Sequence, residues 1–223
     1  MLAPINAQSA IRPIGLAVPP IQSDICVGVP SCAPLIQHEL LKTVRHQIPH
    51  AYARAERELG LSISRTHELI ERRVEIISAA KAIRLARLIA YEPNATDVFD
   101  ETGRNVLRTL NNRFPGIFRN TVRSLPRSLR SRMALAMTRH VANSFAGSFN
   151  HIITESHKGG VLVTIDKGVF SDRLDTLNCA QAYYRQVFET MLQQVAFVDC
   201  EVSDARRSRT RLNTCNLEIV WEA

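Results

Sequence analysis

The last quarter of this chain restricts the folds open to it more than any other part. Between Cys179 and Val195, apolar residues return at three- and four-residue steps: Ala180, Tyr184, Val187, Phe188, Met191, Leu192 and Val195. That spacing predicts a helix with one face to bury. The period then drops to two. Val198, Cys200 and Val202 alternate with Asp199, Glu201 and Ser203, and Cys215, Leu217, Ile219 and Trp221 alternate with Asn216, Glu218 and Val220, as in strands with one buried face. The arginine-rich residues 204–211 between these runs form a hairpin tip, and Cys200 and Cys215 fall on the same inward face. A second alternating pair precedes the helix. Phe149, His151 and Ile153 lead through Lys158, Gly159 and Gly160 to Val161, Val163 and Ile165, a strand, tight turn and return strand. The prediction is a ββαββ antiparallel unit.

Upstream, the period stays near 3.6. Leu35, Ile36, Leu40, Leu41, Val44 and Ile48 mark a segment that stops at Pro49, and a second runs from Tyr52 to a Gly60 C-cap. Ser64 heads a third, ended by Pro93, and Thr96 or Asp97 caps a fourth that reaches Phe114. A short turn follows before Pro126, and a last helix runs through Phe145 with Leu129, Met133, Ala136, Met137, His140 and Val141 inward. Helices segregated from an antiparallel sheet make an α+β domain with an N-terminal helical layer. Residues 1–34 hold six of the ten prolines and little periodicity, so they read as a flexible arm, and residues 35–223 as a single domain.

No apolar run approaches the ~18 residues of a spanning helix, and the N-terminus lacks the basic start and apolar core of a secretory signal. The expected location is cytoplasmic, with peripheral membrane association left open. Five cysteines at irregular spacings suit reduced thiols rather than a disulfide framework. The net charge of +7 is concentrated. From Thr102 to Thr154 there is no acidic residue and there are nine arginines. Such a block favours an anionic partner, unless its charges pair with carboxylates elsewhere.

Several stretches resemble a known family. A helix opening Cys-x-x-x-Tyr-Tyr and a hairpin closing on Cys-x-x-Glu-Ile-x-Trp are similar to the end of a 4-vinyl reductase domain. Upstream, an Glu-x-Gly helix start, a Leu-Pro-x-x-Leu turn, Arg139-His140 and an aromatic with Ala-Gly-Ser resemble the bacteriochlorophyll-synthesis member, so the likeness covers about residues 95–221. It departs at Arg207, where the family has Cys, and by one extra residue between His140 and Phe145. The resemblance implies an α+β fold and a role in bacteriochlorophyll biosynthesis, as a carrier of a magnesium tetrapyrrole or as a vinyl-reductase factor. It also implies the porphyrin-binding subunit of magnesium chelatase as a partner, and leaves a homodimer open. The alternative is a small-molecule-sensing or scaffold domain of the same fold with no pigment role.

The residues set the chemistry of these readings. His140 offers an imidazole for a tetrapyrrole metal, Arg139 a guanidinium for a carboxylate, and Phe145, Tyr183 and Tyr184 flat rings for stacking. His140 on an apolar face and Tyr184 on the helix stripe also suit plain core positions. Cys179, Cys200 and Cys215 would be the zinc ligands if there were a site, but a guanidinium at Arg207 cannot complete it, so no metal is expected and three small core residues are the preferred reading. No nucleotide cradle, iron–sulfur pattern or nucleophile elbow occurs. Whether the chain is an enzyme is therefore left undecided, no cofactor motif lies in it, and nucleic acid is disfavoured because exposed aromatics do not interleave with the arginines.

Overall fold

Proline cannot continue a helical hydrogen-bond ladder but suits its first turn, and Pro49 acts in this way. In the computed structural model α1 spans Ala33–Gln47 and α2 spans Pro49–Leu59. The structure describes residues 33–71, 79–113, 116–133, 135–136, 151–157, 160–166, 170, 176–205 and 214–221. Backbone contacts divide the chain into Met1–Pro30 and Ser31–Ala223, and every described residue belongs to the second unit. Helix α2 closes on a left-handed glycine. Gly60 takes φ 61°, and the Gly60 and Leu61 N–H groups donate to Glu56 O at 3.1 Å and Ala55 O at 3.4 Å.

The next helices are α3 (Ile63–Glu71), α4 (Ala79–Ala90), α5 (Ala95–Arg113) and α6 (Gly116–Ser124). Residues 127–133 are also helical. Two caps differ from expectation. Ser62 Oγ accepts the Arg65 N–H at 3.3 Å, so Ser62 rather than Ser64 heads α3. Helix α5 begins at Ala95, which leaves Thr96 and Asp97 inside its first turn. Ser, Thr, Asn and Asp are nearly equivalent caps, and residue type alone does not choose among neighbours.

The sheet follows the expected strand, strand, helix, strand, strand order. Strands β1 (His151–His157) and β2 (Gly160–Asp166) precede α7 (Leu177–Thr190), and β3 (Cys200–Asp204) and β4 (Thr214–Trp221) follow it. All pairings are antiparallel and the order is β1-β2-β4-β3. One face is apolar: Val161, Val163 and Ile165 on β2 pair with Ile219, Leu217 and Cys215 on β4, and all six are buried. The other carries Thr164, whose hydroxyl donates to Asn216 Oδ1 at 3.0 Å. The architecture is thus α+β, with helices gathered against a four-stranded antiparallel sheet.

Helix α7 lies on β3 and β4, α5 packs on α7, α1 on α5, and α2 and α3 on α1. After Thr190 the backbone widens into a π-turn, Met191–Val195, whose register turns Met191, Leu192, Val195 and Ala196 all inward. The α5–α7 contact is close because residue 103 has no side chain. A Cβ on Gly103 would lie 2.8 Å from Tyr183 O and 3.3 Å from Gln186 Cβ. Gly103→Ala therefore sets about 1 kcal/mol of gained helix propensity against an overlap with backbone, which cannot swing aside. Overpacking costs about 1–3 kcal/mol, so the variant is expected to lose stability, read as a lower urea midpoint at an unchanged m-value.

Candidate functional site

The side chain least explained by the fold is on α1. Its stripe of Leu41, Val44 and Ile48 is buried, and Gln37, one turn earlier on the same side, is only 4% exposed. Neither Gln37 Nε2 nor Oε1 has a hydrogen-bond partner among the described residues. Burying an amide without partners costs about 1–3 kcal/mol, and folded proteins rarely leave one so.

Its neighbour His38 faces α3. The Thr66 hydroxyl, at the buried centre of α3, is in donor range of the Ile63 and Ser62 carbonyls at 2.9 and 3.1 Å. His38 Nδ1 lies 3.1 Å from the same hydroxyl, so Thr66 fixes one edge of the ring, and which of the two donates follows the imidazole tautomer. Burial is the first cause lowering the His38 pKa below 6.5; Glu39 opposes the shift, while His67 and Lys42 add to it. The His67 ring lies 5.7 Å from that of His38. Helix α1 thus carries a buried amide at residue 37 and a neutral, half-buried imidazole at residue 38.

The residues singled out in the sequence fall differently. Tyr183 and Tyr184 are both 0% exposed. Phe99, Phe170, Tyr183 and Tyr184 form a chain of edge-on rings with centroids 4.9, 5.2 and 5.3 Å apart. The space between α5 and α7 is filled, and neither tyrosine presents a face to a flat ligand; both are core residues. Arg139, His140 and Phe145 lie outside the described residues, as do Cys26, Cys32 and Arg207.

Cys200 and Cys215 do share the inward face, but they are not neighbours. Cys200 stands opposite Trp221 and Cys215 opposite Ile165. Cys215 and Trp221 are six positions apart on β4, about 20 Å at ~3.3 Å per residue. The hairpin does not bring the two thiols to one ion. Among the described residues no three His, Cys, Asp or Glu side chains converge as a metal site. Burial pushes the Cys200 thiol up to about 11, with Glu189 and Asp199 adding to the shift, and raises Cys215 further. Gln37 escaped sequence reading because a polar residue beside an apolar stripe looks solvated.

No family model and no curated protein matches the chain. Solved structures do. One from a study of heme distortion in the H-NOX family superimposes with a TM-score of 0.54 at 13% identity, over 86% of this chain and 95% of that one. The Fe(II) unliganded H-NOX protein from K. algicida gives 0.54 at 10%, over 86% and 97%. An oxygen-binding H-NOX domain related to soluble guanylate cyclases gives 0.52 at 13%, over 86% and 95%. The chain's fold is similar to that of H-NOX domains.

This corrects the expected membership in the 4-vinyl reductase domain family. The bacteriochlorophyll-synthesis role, whether carrier or vinyl reductase, and the magnesium chelatase partner fall with it. The motifs behind that expectation have a local cause. Cys179, Tyr183 and Tyr184 are buried positions of α7, and Cys215, Ile219 and Trp221 are one face of β4, so core packing accounts for their apolar character. No described helix is long and apolar enough to cross a membrane.

Two outcomes are expected from this geometry. The folded state disfavours the His38 imidazolium, so the unfolded chain binds more protons just below pH 6.5, and stability is highest above that pH and declines as pH falls through the lowered folded-state pKa. Urea midpoints between pH 7 and 5 will show the decline, and His38→Asn, which keeps a hydrogen-bonding amide near Nδ1, will make it shallower. For the cysteines, Cys215→Ala will cost about 1–2 kcal/mol as a small buried truncation, and alkylation at pH 8 will leave Cys215 unmodified until the protein unfolds. Peptide mapping and elemental analysis for zinc check both points.

Proposed function

We propose that this chain is a small-molecule-sensing domain that holds its ligand against α1, in the helical layer. The observation that carries the reading is Gln37: a buried amide with a donor and an acceptor unmet among the described residues fits a site completed by a ligand. The H-NOX-like fold supports the same class, since the neighbours are described as heme- and oxygen-binding. Analogy of fold is weaker support than the site itself.

A tetrapyrrole is the ligand class to test first. Heme needs an axial donor on an apolar wall, and supplies an iron to which a small ligand can bind. Among the described residues Cys179, Cys215 and Met191 are closed in the core, and His46, His50 and His67 are exposed. His38 is neutral at pH 7, half-buried and oriented by Thr66, so it meets the chemical requirement. His140 is the second proposed donor, with Arg139 for a ligand carboxylate and Phe145 flanking the ring. The chain's own contribution is to hold the His38 imidazole neutral and to offer the Gln37 amide to a polar edge.

Hemin and metal-free protoporphyrin IX are the probes. Hemin is expected to bind with a red-shifted Soret band that His38→Ala or His140→Ala alters, identifying the donor. Gln37→Leu removes an unpaired amide, so it should raise the stability of the ligand-free protein by about 1–2 kcal/mol while weakening porphyrin binding at least about tenfold. Unchanged binding in Gln37→Leu, or no Soret change in the parent protein, would defeat the proposal.

A further inference from the structure

The arginine block leaves a surface that the sensing site does not use. Arg123, on the exposed side of α6, and Arg127, Arg130 and Arg132, in the helical residues 127–133, form no ion pair with a carboxylate among the described residues. A solvated face balanced by acidic neighbours is therefore not what was built. Two of them, Arg123 and Arg130, meet one aromatic residue. The Arg123 guanidinium sits 5.5 Å over the Phe197 ring, and Arg130 Nη1 donates to Phe197 O at 3.0 Å.

Phe197 is itself unusual. It follows the π-turn, has φ 52° although it is not glycine, and is 36% exposed. A left-handed backbone costs an L-residue stability and persists where the surroundings hold it. Here it turns a large apolar ring outward among cations. Leu129, within the same basic segment, is 48% exposed. Two of the four large apolar side chains exposed among the described residues thus lie in the acid-free stretch or against it. The nearest acid in sequence, Asp199, makes no ion pair with these arginines among the described residues.

We propose that Phe197, with Arg123 and Arg130 that meet it and the exposed Leu129 and Arg132 of the same basic segment, docks on an anionic lipid surface. Unpaired guanidiniums match lipid phosphates and carboxylates, and the exposed Phe197 and Leu129 supply the shallow apolar insertion that holds a basic face at the headgroup boundary. A polyphosphate chain alone would use the charges and leave both apolar side chains in water. On the membrane the Arg123 guanidinium leaves the Phe197 ring for a phosphate, and the ring enters the acyl boundary in its place.

The test is co-sedimentation of the full chain with vesicles of phosphatidylcholine alone or with about 30% phosphatidylserine, at about 0.1 M salt. The chain is expected to bind the anionic vesicles and not the neutral ones. Changing Arg123, Arg127 and Arg132 together to Gln should lower partitioning at least about tenfold. Phe197→Gly suits φ 52° and keeps the fold, as circular dichroism will verify, yet should weaken binding several-fold, as should Leu129→Ser. Absence of binding to anionic vesicles overturns the proposal. So does binding that needs the arginines but is indifferent to Phe197→Gly and Leu129→Ser, or tighter, equally indifferent binding to a DNA duplex, which would make the face a general polyanion surface.

Discussion

The approach of α5 to α7 is the contact on which the rest of the structure depends. Helix α7 seats its remaining sides on the sheet, and α5 in turn carries α1 and, through it, α2 and α3. The distance is set by an absent side chain at Gly103, whose position faces the Tyr183 carbonyl. Around that point the interface is filled by Phe99, Phe170 and Tyr183 meeting edge to face. It is tied at its rim by Asp100, which accepts from Arg104 at 3.0 Å and from Arg185 at 3.5 Å. A helix held on both sides transmits displacement from the helical layer to the sheet more directly than one with a solvated face.

That double burial also explains what could be read from the sequence. The two hairpins and the face of each inner strand were legible because a period of two leaves one assignment of inside and outside. The stripe Tyr184, Val187, Phe188 and Met191 was legible as the face α7 turns to one neighbour. Tyr183, a third of a turn away, looked available for a ligand only on the assumption that α7 has a wet side. The same assumption hid Gly103, a packing residue that reads as a weak point in a helix, and Gln37, a buried residue that reads as polar surface. Periodicity reports the first partner of a helix well and the second poorly. The cysteines show a different limit: alternation gives the face of Cys200 and Cys215 but not the register between strands, which places them at opposite ends of β4.

Likeness of motif proved a poorer guide than likeness of shape. The residues behind the likeness to a pigment-synthesis family are buried packing positions of α7 and β4. The three H-NOX structures compared above share only 10–13% of residues with this chain. At that distance the shared property is a packing plan, and the amide on α1 and the arginines around Phe197 are argued from this chain's own geometry.

The strand order has a consequence for how the molecule is assembled. Strands β2 and β4 form the middle of the sheet, yet their paired residues are separated by 48 to 60 positions in sequence. The first hairpin can close locally, but it must wait with the inner edge of β2 unpaired while α7, the π-turn and β3 are made. Non-local pairing of this kind slows folding, and an open apolar strand edge recruits other chains during the delay. Synthesis rate and temperature should therefore govern the soluble yield of this protein more than the equilibrium stability of its finished core.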